Sequence, residues 1–175
     1  PPLLMVHATG LCADVWNSYA SELSSNFHVI CLNQRGHGET DQPEGDFDFE
    51  LVGQDVAAFI QKLNLTNLHG IGHSSGGLVT LMASHLLPGT YKKIALTETT
   101  LRNRSSVLSP EQLAVRLGRT RNKRRNWASL KVLYEAYRNR TVFKNWSEES
   151  FTGYLNGGTM ELEDGTIQLR CPPEV

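Results

Sequence analysis

No apolar run in this sequence approaches the roughly 20 residues that a membrane-crossing helix needs, so a span is not expected. Cysteine is scarce. Cys12, Cys31 and Cys171 are odd in number and widely spaced, which argues against both a disulfide framework and a metal cluster and favours a reducing, cytoplasmic setting. Four N-x-S/T sequons, at Asn64, Asn103, Asn139 and Asn145, keep a secretory history as the alternative. Excess charge is missing too: a formal net charge of -1 excludes nucleic acid or an anionic membrane as the expected partner of the whole chain. There is no internal repeat, no low-complexity tract and no visible signal segment. The sequence opens on Pro1-Pro2 without an initiator methionine and runs directly into Leu3-Leu4-Met5-Val6, the expectation being that it begins within a domain.

What is present is enough for one sizeable core: 175 residues, 39% of them hydrophobic. Charge is unevenly spread. Residues 101–140 hold eleven Lys/Arg against two Asp/Glu, densest at Arg119, Arg121, Lys123, Arg124 and Arg125. Few aromatics interleave with these cations, so the 116–125 stretch reads as a solvated helix face in preference to a polyanion site.

The first hundred residues alternate short apolar runs with segments of helical period. Strands are expected at Leu3–Val6, His28–Leu32, Leu68–Ile71 and Lys93–Leu96. Helices are expected at Asp14–Ser24, Phe49–Leu63 and Gly77–Leu87. That order predicts a doubly wound, mostly parallel α/β sheet with right-handed crossovers, whose ligands bind at the carboxyl ends of the strands. Thr9, Arg35, Ser74 and Glu98 fall just past those ends. Beyond Leu101 the chain turns polar, basic and helical, with one possible short turn-bearing segment near Glu161–Leu169. Helix starts are expected at Ser109-Pro110-Glu111-Gln112 and at Ser147-Glu148-Glu149. Between them Trp127, Leu130, Leu133, Tyr134 and Tyr137 form an apolar stripe, expected to pack mostly on the sheet domain.

Gly72-His73-Ser74-Ser75-Gly76 is a G-x-S-x-G pentapeptide between an expected strand and an expected helix. A nucleophilic serine needs a sharp turn there, so that its Oγ is exposed and nearby backbone N–H groups face the reacting carbonyl. The flanking glycines remove Cβ atoms that would obstruct the turn. Ser75 is the competing hydroxyl, off the centre of the motif. His73 reads as packing or hydrogen-bonding support and not as a general base, because adjacent residues at such a turn point apart. His28, His69 and His85 read as solvated or satisfied.

Taken in order and spacing, Val6-His7-Ala8-Thr9-Gly10, Arg35-Gly36-His37-Gly38 and Gly72-His73-Ser74-Ser75-Gly76-Gly77 resemble the α/β-hydrolase superfamily, clearly over residues 3–100. Ala8 departs from the glycine usual in the first loop. The resemblance implies Ser74 as nucleophile, and an oxyanion hole made by the backbone N–H groups of Thr9 and Ser75. It implies a structural role for the Arg35–Gly38 turn and no metal or organic cofactor. It also implies a division into a partial core (1–100), a helical cap (101–170) and the start of a return to the core (171–175), a fold truncated at both ends.

In this fold the acid and then the histidine follow the serine, yet no histidine follows His85. The base is therefore expected beyond Val175, and Glu98 is a minor candidate for the acid. The resulting expectation is a serine esterase-like hydrolase acting on an ester or related acyl bond of a small, largely apolar molecule. Serine in place of aspartate at the elbow disfavours epoxide and haloalkane hydrolysis. Thioester, amide, carbon–carbon and perhydrolase chemistry stay open. The rivals are a non-catalytic ligand-binding or scaffold protein of the same fold, and polyanion binding by residues 116–125.

Overall fold

The computed structural model describes residues 1–42, 48–99, 101, 109, 111 and 123–172. Strands β1 (Pro2–Val6), β2 (His28–Leu32), β3 (Leu68–His73) and β4 (Tyr91–Thr97) form a sheet in the order β2-β1-β3-β4, with every pair parallel. β1 sits in its interior, and Leu3, Leu4, Met5 and Val6 are all buried, as an apolar run covered on both faces should be. All four expected strands form. β3 runs two residues further than expected, to His73, because His73 still pairs with Thr97.

Helix α2 (Phe49–Lys62) presents Val52, Val56 and Ile60, spaced four apart, to the core. The Asp48 side chain caps it by accepting the Glu50 N–H at 2.8 Å. Helix α3 (Ser75–Leu86) contributes Val79 and Ala83 to the same cluster. The two helices approach closely at Gly53, where a Cβ would come within 2.8 Å of the Met82 Cβ.

The helix expected over Asp14–Ser24 divides into a 3-10 turn, Ala13–Trp16, and helix α1 (Asn17–Leu23). Ala13 and Val15 are buried, but Tyr19 is 54% exposed. The apolar stripe read from its period therefore does not all enter the core: Trp16 and Tyr19 face a cavity instead.

The second half departs further from expectation. Helices α4 (Leu130–Arg138) and α5 (Glu148–Gly158) are capped by Ser129 and by Ser147, the latter as expected. Before and beyond them, strands β5 (Asn126–Trp127), β6 (Thr159–Glu161) and β7 (Ile167–Leu169) make an antiparallel sheet in the order β5-β7-β6. A two-residue strand has no period to detect, and its partner lies some forty residues away. The 130s stripe also packs elsewhere than expected. Trp127, Leu133 and Tyr137 join Phe143, Phe151, Tyr154, Ile167 and Leu169 in a core of their own, and from the first hundred residues only Cys12 and Val15 are buried in it. Tyr137 stacks on Phe143 at 5.5 Å, and Trp127 meets Tyr137 edge-on at 5.4 Å.

Residues 116–122 and the helix-start residues Pro110 and Gln112 lie outside the described residues. The three described cations of the basic stretch, Lys123, Arg124 and Arg125, lie against protein groups. Arg124 lies 4.2 Å over the Trp127 ring, Arg125 donates to the Leu169 carbonyl at 3.5 Å, and Lys123 is half-buried beside Gly10.

Candidate active site

Ser74 joins the end of β3 to the start of α3 with φ 52° and ψ -114°, a left-handed region that side chains other than glycine rarely enter. Its N–H bonds the Thr97 carbonyl at 2.8 Å, while its own carbonyl receives the Gly77 and Leu78 N–H groups at 3.1 and 3.3 Å. Strand pairing and helix initiation thus hold the residue from both sides in a conformation it would not choose alone. Neither flanking glycine has a positive φ; both are required by close approach. A Cβ on Gly76 would run into the carbonyl oxygens of Val6 and His7, and one on Gly72 into the backbone of Gly77.

The loop after β1 faces this turn. Thr9 donates its backbone N–H to Ser75 Oγ at 2.7 Å and its hydroxyl to the same oxygen at 3.0 Å. The Ser75 N–H lies in the first turn of α3, where backbone donors and the helix dipole favour negative charge. Ser74, Thr9 and Ser75 therefore come together as the motif spacing anticipates. The Ser75 side chain, for which the sequence suggested no partner, is joined to Thr9.

His73 Nε2 stands 3.6 Å from Glu98 Oε2, so these neighbours of the elbow pair with each other. Glu98 also has a positive φ of 52°, and its side chain is 86% exposed. Arg35 is held by Asp55 through two bonds of 2.7 and 2.8 Å and lines a different cavity, of about 660 Å³. His28 and His85 are exposed, as expected. His69 differs: it is half-buried, its ring meets Phe27 at 5.3 Å, and its Nδ1 has no protein partner.

Ser74 opens into a cavity of about 740 Å³. Thr9, His73 and Glu98 line one side. Trp16 and Tyr19 come from the segment after β1, and Val142 and Trp146 from the loop before α5. The sequence carried no local signal for these four, because they converge from segments more than a hundred residues apart.

His7 and His37 lie beneath the loop, both fully buried, with ring centroids 5.0 Å apart. Burial, reinforced by the nearby His37, pushes His7 down to about 3. Burial also lowers His37, and the cationic Lys123 adds to this against the opposing bond to the Arg35 carbonyl. Both imidazoles are therefore neutral near pH 7. The motif of His37 pointed to a structural turn and that of His7 to the loop carrying Thr9, but spacing could not reveal which ring atom meets which backbone group.

The parallel sheet, the strained serine at its strand-to-helix turn and the facing loop define an α/β-hydrolase architecture. The profile of the family described as alpha/beta hydrolase fold matches residues 1–143, and the chain belongs to that family. A non-heme chloroperoxidase of Streptomyces lividans is 37% identical over 97 residues, covering 54% of this chain and 35% of that protein. The (E)-2-((N-methylformamido)methylene)succinate hydrolase of Acinetobacter baylyi is 30% identical over 95 residues, covering 54% and 36%. The crystal structure of E-2-(acetamidomethylene)succinate hydrolase superposes with a TM-score of 0.83 at 21% identity, over 99% of this chain and 62% of that one, a likeness of fold. The matches span about a third of the length of these curated relatives. Among the described residues, no helix is long and apolar enough to cross a membrane.

Proposed function

We propose that this chain carries the nucleophile and oxyanion hole of a serine hydrolase that cleaves an ester or related acyl bond. The observation that carries the proposal is Ser74 itself, held at φ 52° on the rim of a cavity opposite the Thr9 loop. Backbone strain of this kind costs on the order of 1–3 kcal/mol and persists where the surroundings enforce it. Here it presents a hydroxyl to a cavity. Ser74 Oγ would attack the acyl carbon. The oxyanion would then replace the Ser75 hydroxyl as acceptor of the Thr9 N–H and would take the Ser75 N–H as well. Such donors are worth about 3 kcal/mol each in a transition state.

In this reading His73, turned to Glu98, and His7 and His37, buried beneath the loop, do not serve as the general base. Residues 1–100 serve as the core and 101–170 as a cap, with 171–175 returning towards the core. The placement of Val142, Trp146 and Ser147 on the same cavity as Ser74 supports that division.

The substrate is a small molecule, largely apolar where it meets Leu11, Val15, Trp16, Tyr19 and Trp146. Succinate-type dianions, which the names of two relatives carry, would meet Glu98 and no Lys or Arg among the described lining residues. A neutral acyl group fits that lining better.

The test is intact-mass analysis of the naturally produced protein with a serine-directed organophosphorus probe, with Ser74→Ala as control. One adduct, at Ser74 and lost in the variant, is expected. Failure to label the natural protein would favour the rival reading, a binding protein that uses the same cavity.

A further inference from the structure

The turn that carries Thr9 is held by imidazole. The Leu11 N–H returns to the Ala8 carbonyl at 3.1 Å, closing a β-turn over Thr9 and Gly10, and Gly10 has the φ of +79° that the third position of a type II turn requires. The N–H of Gly10 is donated to His37 Nε2 at 2.9 Å, and the other ring nitrogen, Nδ1, lies 3.0 Å from the Arg35 carbonyl. A carbonyl only accepts, so Nδ1 carries the hydrogen and Nε2 is left as a bare acceptor. His7 repeats the pattern one layer deeper. Its Nδ1 lies 2.8 Å from the Ala8 carbonyl, and its Nε2 accepts the Gln34 N–H at 3.2 Å. The Gln34 side-chain amide donates back to the His7 carbonyl. Two neutral rings of the same tautomer thus join the loop after β1 to the loop after β2.

We propose that His37 is a positioning residue for the oxyanion hole: its bare Nε2 fixes the Gly10 N–H, and with it the turn that aims the Thr9 N–H at the Ser74 site. This rests on reading Thr9 as an oxyanion donor. The two N–H groups are consecutive, so rotating the Thr9–Gly10 peptide would swing the Gly10 N–H off the ring and change the turn type around Thr9. A proton on Nε2 would set a donor against a donor and do the same. Among the described residues, the titratable groups facing the ring include His7, just past β1, and the Lys123 amine from the segment before β5, which also reaches the Gly10 turn. Burial and the Lys123 amine both resist a positive charge on the ring, which keeps the acceptor in place at neutral pH.

The experiment is NMR on the ¹⁵N-labelled chain between pH 8 and pH 5, with His37→Gln, which offers an uncharged acceptor at similar reach, and His37→Phe, which offers none. The His37 ring should read as the Nδ1–H tautomer. In His37→Phe the Gly10 amide should exchange at least about tenfold faster, the Leu68 amide deep in the sheet staying unchanged, and His37→Gln should restore most of the protection. An Nε2–H ring in the unaltered chain would overturn the proposal without any variant. So would equal Gly10 protection in all three proteins. A second arm titrates the naturally produced protein and its His37 variants with phenylboronic acid, whose tetrahedral serine adduct places an oxygen in the hole. About tenfold weaker binding to His37→Phe, rescued in His37→Gln, is expected, and equal affinity would overturn the positioning role. If the naturally produced protein forms no adduct, the reading of Ser74 as nucleophile fails, and the spectra alone decide the fate of His37.

Discussion

The Thr9 N–H donates to Ser75 Oγ at 2.7 Å, so a side chain of the elbow occupies one of the two donors that an oxyanion would use. Ser75→Ala removes that competitor and leaves the Ser75 backbone N–H untouched. Phenylboronic acid should therefore bind the variant more tightly, by about fivefold if one neutral hydrogen bond of about 1 kcal/mol is no longer displaced. Weaker binding would mean that the Ser75 hydroxyl is itself a donor to the adduct.

Ser74 carries a positive φ that glycine tolerates and serine does not. Ser74→Gly should raise stability by about 1 kcal/mol, seen as a Tm a few degrees higher, while abolishing the organophosphorus adduct. A variant no more stable than the unaltered chain would show that the strand and helix impose no strain at this position.

Gly76→Ala should have the opposite effect. Its Cβ meets the Val6 and His7 carbonyl oxygens, which are main-chain atoms of the central strand and its loop and cannot swing aside. A loss of more than about 2 kcal/mol is expected, with shifts in the Thr9 and Gly10 amide signals. Gly89 has a positive φ but open space around it, so Gly89→Asn should cost far less. Equal melting temperatures for the two variants would contradict the packing described at Gly76.

Stability should fall as the pH drops below about 6.5. His7 is held near 3 and His37 is lowered in the folded chain, both chiefly by burial, whereas the unfolded chain protonates them near 6.5. The unfolded state therefore binds more protons below 6.5, and the stabilisation present above that pH is lost progressively towards the folded values. His7 contributes a slope approaching about 1.4 kcal/mol per pH unit, and His37 adds to it in the same direction. Urea midpoints between pH 7.5 and pH 5 would measure it, and His37→Gln should make the slope shallower. A flat profile would mean that the rings are not buried neutral.

Phe151 lies at the centre of the second core, 5.3 Å from Tyr134 and 5.4 Å from Phe143. Phe151→Ala should cost about 3–5 kcal/mol. Amide exchange should accelerate first around α4, α5 and the β5-β7-β6 sheet, where that cluster lies. Uniform acceleration across β1 and β3 as well would show that the two cores unfold as one.

The parallel sheet was legible in the sequence because its signals are local. Leu3 to Val6 is an uninterrupted buried run, α2 repeats Val52, Val56 and Ile60 every fourth residue, and the glycines at 72 and 76 mark a turn that only a missing Cβ allows. The same signals placed Ser74, Thr9 and Glu98 at strand ends. The division of Asp14–Ser24 and the β5 edge of the small antiparallel sheet were not legible, although the turn-bearing segment near Glu161–Leu169 was, and it forms the β6–β7 hairpin. The first has helical period throughout but turns Tyr19 to a cavity, and the second depends on Trp127 pairing with Ile167, a contact with no periodic trace.

By itself, then, the sequence determined those features that backbone geometry dictates over a few residues: strand, helix, elbow and the serine that stands at it. Tertiary structure alone decided which groups meet across the chain: the Thr9 N–H on Ser75 Oγ, the Gly10 N–H on a bare imidazole nitrogen, His73 on Glu98, and Trp16 and Trp146 on one cavity wall. The physical reason is one of range. Steric and hydrogen-bonding preferences within a turn are written in adjacent residues. The direction of a side chain towards a partner sixty or a hundred residues away is set only when buried surfaces close and each buried polar group must find a partner.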